Sequence, residues 1–105
     1  MLHDFSQLKQ SAYLLKTLGN VHRLQIITHL LDGEKNVTHI NAAVHVSQPA
    51  LSQHLARLRS AGILGSRRDQ RQIYYYVVNH HVATLLALLA QMGVAGENKK
   101  VAKQA

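Results

Sequence analysis

At 105 residues, 47% of them hydrophobic, the chain has the size of one domain with a modest core, and nothing in it marks a second. Twelve Lys and Arg against five Asp and Glu give a formal charge of +7, which argues against acidic or neutral partners and for a polyanion, nucleic acid first. Cysteine is absent, which excludes disulfides, thiolate metal sites and thiol switches. With no run of about 18 apolar residues and no secretory leader pattern, a cytoplasmic location without membrane contact is expected.

Hydrophobic spacing predicts five helices and one hairpin. Phe5, Leu8, Ala12, Leu15 and Leu18 recur at helical spacing over 5–18, and the first helix ends before Gly19. Asn20 can cap a second helix with the stripe Leu24, Ile27, Leu30 and Leu31, which stops at the turn Asp32-Gly33. A short third helix over 38–44 turns Ile40, Ala43 and Val44 inward. A turn of three or four residues then leads to the next helix, the spacing of a helix-turn-helix.

The fourth helix carries the strongest local signals. The Ser47 hydroxyl can accept from the free N–H groups of the first turn, and Pro49 sits where no N–H is needed. Leu51, Leu55 and Leu58 form one apolar stripe, leaving Gln48, Ala50, Ser52, Gln53 and Arg57 outward, and Gly62 ends the helix. Small residues, amides and hydroxyls at a helix N-terminus suit the major groove: Gln pairs with adenine, and Ala or Ser meets a thymine methyl. Two strands follow, over 63–66 and 72–78, with Arg67, Arg68, Asp69, Gln70 and Arg71 at or near the tip. From 47 to 78, Arg57, Arg59, Arg67, Arg68 and Arg71 face the single acid Asp69, a local excess of +4 that suits phosphate contact.

The last helix, over 80–92, holds Val82, Leu85, Leu86, Leu88 and Leu89 and has little polar face. So small a domain cannot bury it, and a second copy of the chain is the simplest cover. The first helix, with Leu8, Tyr13 and Leu14 outside its main stripe, is the expected second contributor. The expected dimer interface is therefore Leu8, Leu14, Val82, Leu85, Leu86 and Leu89. Residues 1–92 make the domain, and 93–105, with three lysines and no sustained periodicity, a mobile basic tail.

Eight histidines raise the alternatives of metal or pH sensing. His80 and His81 diverge by about 100° on a helix, while His39/His45 and His22/His29 are spaced too far apart for one local site. No metal and no cofactor are expected. Alternation along Tyr74, Tyr75 and Tyr76 sets Tyr75 on one strand face and the other two opposite, so at least one packs into the domain. An architectural or RNA-binding role would need no symmetric DNA site. Catalysis lacks a nucleophile–base constellation and a Gly-rich phosphate loop.

Three segments, NVHRLQIITHLLDGEKNV, SQPALSQHLARLRSAGIL and RRDQRQIYYYV, resemble landmarks of the ArsR/SmtB family of winged-helix bacterial repressors, and nearest its HlyU/NolR-like branch. The resemblance covers roughly residues 10–92. It implies a mainly α fold with a small β-hairpin wing, in which four helices, the hairpin and a fifth helix follow in chain order. It further implies a homodimer through the first and last helices that binds a palindromic operator on the nucleoid, repressing more often than activating. By resemblance, Gln48, Ala50, Ser52, Gln53 and His54 read the major groove, Ser47 and Arg57 lie nearer the backbone, and Arg67, Arg68 and Arg71 serve the wing. The family's sensing residues are missing. Glu34–Ile40 stands where metal sensors carry an ELCVCDL-like segment, and Asn79, His81, Met92 and Ala95 stand at the zinc positions of the last helix. Thr28 falls where the redox branch has its first cysteine.

Overall fold

The computed structural model describes residues 4–93, so the expected tail falls, apart from Gly93, outside the described residues. The elements are α1 (Phe5–Leu18), α2 (Val21–Leu30), β1 (Lys35–Asn36), α3 (Val37–Ala43), α4 (Gln48–Ser60), β2 (Leu64–Asp69), β3 (Gln72–Val77) and α5 (His80–Gln91). Each helix starts on a side chain that accepts from its free N–H groups. Asp4 accepts from Ser6 at 2.9 Å, Asn20 from His22 and Arg23 at 3.0 and 3.1 Å, and Asn36 from His39 at 2.8 Å. Ser47 accepts from Ala50 at 3.2 Å and Asn79 from His81 at 3.1 Å. The C-terminal end of α4 passes through Ala61 to Gly62, whose φ of 74° is the left-handed stop expected of glycine there.

The core is built from Leu18, Ile26, Ile27, Leu30, Ile40, Val44, Leu51, Leu55, Leu58, Ile63, Leu64 and Val82. Every predicted apolar position of α4 is in it. In α2 the buried stripe is Ile26, Ile27 and Leu30, while Leu31 at the helix end is exposed. In α1 the burial lies on the Leu14, Thr17 and Leu18 side, so the periodic stripe Phe5, Leu8, Ala12 and Leu15 faces away from the protomer's core. Apolar spacing identifies a face; it does not say what covers that face.

The hairpin is longer at its tip than the sequence suggested, and it has a third strand. Residues Arg67, Arg68 and Asp69 belong to β2, which pairs antiparallel with β3 from Leu64↔Val77 to Asp69↔Gln72. Only Gln70 and Arg71 make the turn, with Gln70 held at φ 57°, a conformation that costs a non-glycine residue energy. On the other edge of β3, Lys35 and Asn36 pair with Tyr75 and Tyr74, giving the sheet order β1-β3-β2. The tyrosines alternate as expected: Tyr75 packs on the core, and Tyr74 and Tyr76 lie opposite. The Tyr76 ring lies over its cross-strand partner Gly65, where a Cβ would come within 2.7 Å of a ring carbon. Among the described residues no helix is long and apolar enough to cross a membrane.

Candidate nucleic-acid interface

Four residues, Val44 to Ser47, separate α3 from α4, and the Ser47 cap fixes where α4 begins. With Leu51, Leu55 and Leu58 locked inward, the outward arc carries Gln48, Ser52, Gln53 and Arg57, all exposed, and Ala50 at its margin, partly covered. This arc is short-chained at its N-terminal end and bears amide donors and acceptors at Gln48 and Gln53, the groups that read base edges. Although its oxygen is engaged by the Ala50 N–H, the Ser47 hydroxyl still has its own proton to donate.

His54 does not join this arc. It turns toward α2, where its Nδ1 faces Arg23 Nη1 at 3.3 Å and its ring lies 5.9 Å from that of His22. Burial, and then the charges of Arg23, His22 and Arg57, push its imidazole below the usual histidine range. Because a guanidinium can only donate, the ring nitrogen accepts from Arg23 and ties α4 to α2. This position on the wheel lies at the edge between the core stripe and the groove face, which is why the sequence alone did not separate the two roles.

The wing arginines also divide. Arg68 and Arg71 are exposed at the end of the hairpin. Arg67, expected beside them as a phosphate contact, is held by the protein itself. Its Nε donates to Glu34 Oε2 at 3.0 Å, its Nη2 donates to Glu34 Oε1, Asp69 Oδ2 lies 3.9 Å from its Nη1, and its guanidinium stacks 4.4 Å from the Tyr74 ring. The hydrogen bonds from Arg67 hold the Glu34 carboxyl below the usual carboxylate range. Arg67 thus fastens β2 to the segment leading into β1, a partnership 33 residues apart that no local pattern announces. Arg68→Ala is therefore expected to lessen the salt dependence of DNA binding by about one unit of log–log slope per bound protomer, and Arg67→Ala by clearly less. Titrating both variants against one duplex at several salt concentrations checks this; equal slope losses would overturn it.

The proposed interface residues on the helices separate in the same way. Val82 is buried in the protomer's own core, and Leu14, Leu85 and Leu86 pack against that core, so these four are largely engaged within the protomer. What α1 and α5 leave uncovered is Phe5, Leu8, Tyr13 and Leu15 on the first, at 72%, 43%, 53% and 60% exposure, and Leu88 with the C-cap residue Met92 on the second, at 49% and 63%. Leu89 is half-buried beside them. Among the described residues no three His, Asp or Glu side chains gather as a metal site would require.

A capped reading helix after a four-residue turn, carried on an α-helical core with a three-stranded wing, defines a winged helix-turn-helix protein. Comparison with known proteins narrows this. Residues 20–66 match the bacterial regulatory protein, arsR family. The chain is 36% identical over 83 residues to the transcriptional activator HlyU of Vibrio cholerae, covering 79% of this chain and 77% of that protein. It is 40% identical over 86 residues to the biofilm growth-associated repressor of Agrobacterium fabrum, covering 82% and 74%. The homodimeric winged helix-turn-helix DNA-binding domain of Mb0332 from Mycobacterium bovis superposes with a TM-score of 0.76 at 34% identity, over 92% of this chain and 88% of that one. The chain belongs to the arsR family of bacterial regulatory proteins. It is a transcriptional regulator with a DNA-binding winged helix, not an enzyme.

Proposed function

We propose that the protein is a homodimeric repressor that occupies an inverted-repeat element in or near promoters, working on the nucleoid in the cytoplasm and blocking access of polymerase. The observation that carries this reading is the pairing of two surfaces on one small domain. One is the amide-bearing arc of α4, and the other is the set of apolar side chains that α1 and α5 leave exposed. A two-fold axis through the second surface would present two copies of the first to successive major grooves, about 34 Å or roughly 10 base pairs apart. In this reading Gln48, Ala50, Ser52 and Gln53 meet base edges, Ser47, Arg57, Arg68 and Arg71 meet phosphates, and Leu8, Leu88, Leu89 and Met92 meet the partner. With no cysteine in the chain and Asn79, Met92 and Ala95 at three of four family zinc positions, release depends on neither a thiol switch nor the family's metal sites.

Selection of bound fragments from random duplex DNA tests the proposal, the expected product being an inverted repeat with half-sites one turn apart. Enrichment without symmetry would overturn the dimeric assignment. On the selected duplex, Gln53→Ala is expected to relax preference at one base pair of each half-site, at a cost of about 1–3 kcal/mol per contact. Competition between the selected duplex and single-base variants measures it. A uniform loss on every sequence would mean that Gln53 touches the backbone instead.

A further inference from the structure

On its α2 side, α4 borders a cleft of about 150 Å³ lined by Tyr13, Lys16 and Thr17 of α1, Arg23 of α2 and Arg57 of α4. Three cations therefore converge on one small space. The ion pairs found among the described residues both belong to Arg67, on the wing, so no carboxylate neutralises this group. Arg23 is fixed in place. Its Nε donates to Thr17 O at 2.6 Å, its Nη2 to Lys16 O at 3.5 Å and its Nη1 to His54 Nδ1 at 3.3 Å. A guanidinium has five N–H donors, so two remain for a ligand. Beside the cleft, burial and then the charges of Arg23, His22 and Arg57 push the His54 imidazole below the usual histidine range, so the ring adds no charge of its own to oppose these cations. Like charges held together without an acid repel one another, and an anion in the cleft would relieve that repulsion.

The cleft also lies where a DNA strand would pass. Arg57 follows Gln53 by one helical turn, on the side of α4 that leads to His54 and Arg23. A helix lying in a major groove has a phosphate backbone along each flank. We propose that the cleft is a second anchoring site for DNA, in which one backbone phosphate beside the groove is held by Lys16, Arg57, the free N–H groups of Arg23 and the Tyr13 hydroxyl. The assignment rests on the DNA-binding reading above. It adds α1, which carries no base-reading residue, to the DNA-contacting surface, and it gives Tyr13 a role other than in the dimer interface.

Lys16 is exposed, and the hydrogen bond it accepts from Arg23 is to its backbone carbonyl, which Lys16→Ala retains. With the full chain and the selected duplex, Lys16→Ala is expected to bind about three- to tenfold more weakly, with a log–log salt slope smaller by about 1 per bound protomer, about 2 for the dimer, and the same sequence preference; Lys16→Arg keeps the slope. Duplexes in which one phosphate at a time is a neutral methylphosphonate locate the contact. Wild type should lose affinity at one flanking position per half-site, and Lys16→Ala should be indifferent at that position. If wild type binds the duplex and Lys16→Ala shares its slope and its methylphosphonate profile, the cleft is not a phosphate site and the DNA-binding reading stands. If wild type binds no duplex, both readings fall.

Discussion

Replacing Leu88 with glutamate is expected to turn the protein into monomers and to weaken binding to an inverted-repeat duplex roughly a hundredfold, with helix content unchanged. The argument starts from how little of α5 the protomer buries. Val82 is enclosed, and Leu85 and Leu86 lean on the core, but Leu88 and Met92, one turn apart, project from it. The Phe5, Leu8 and Leu15 stripe of α1 is similarly uncovered. Faces as apolar as these on two helices of so small a domain are what a subunit contact requires. A carboxylate placed at Leu88 would be buried without a partner in the dimer and solvated in the monomer, so it acts on association and not on folding. Sedimentation and a salt-matched DNA titration of the same sample read both effects. A Leu88→Glu protein that sediments as a dimer would exclude α5 from the interface.

Leu55→Ala is expected to cost about 2–5 kcal/mol of folding stability, a large share of the 5–15 kcal/mol typical of a small domain. Leu55 is 2% exposed at the middle of the α4 stripe, between Leu51 and Leu58, and these residues seat the reading helix on the core. Leu31→Ala provides the control, since at 42% exposure it should cost under about 1 kcal/mol. Urea unfolding at one fixed protein concentration makes the comparison, because association would add its own stability. Equal costs for the two substitutions would mean that α4 is not packed as described.

How far the sequence discloses this arrangement depends on how many independent signals agree at each place. At α4 the Ser47 cap, Pro49, the three leucines and Gly62 all specify the same helix, and it forms between the expected ends. Strand β1 has two residues, too few to show alternation, and it exists only because β3 offers an edge. The hairpin turn at Gln70-Arg71 lacks the Asn or Gly that announces a left-handed residue, so the sequence places the first strand's end three residues early, at 66 instead of Asp69, while the second strand starts at Gln72 as expected. For the candidate site, the outward set of α4 was legible because helical geometry alone determines it. The roles of Arg67 and Arg23 were not, because Glu34 and His54 lie 33 and 31 residues away.

Asn36 is paired through its backbone with Tyr74 of β3 while its side chain holds the first turn of α3 at 2.8 Å. A single residue is thus both the last rung of the sheet and the first fixture of the helix pair, and Arg67 on Glu34 braces the same junction from the far strand. The hairpin is therefore no free flap. Moving the hairpin against the helix pair would mean breaking the Asn36 rung or the Glu34–Arg67 pair, so in the proposed DNA-bound dimer each wing meets the duplex together with its own reading helix.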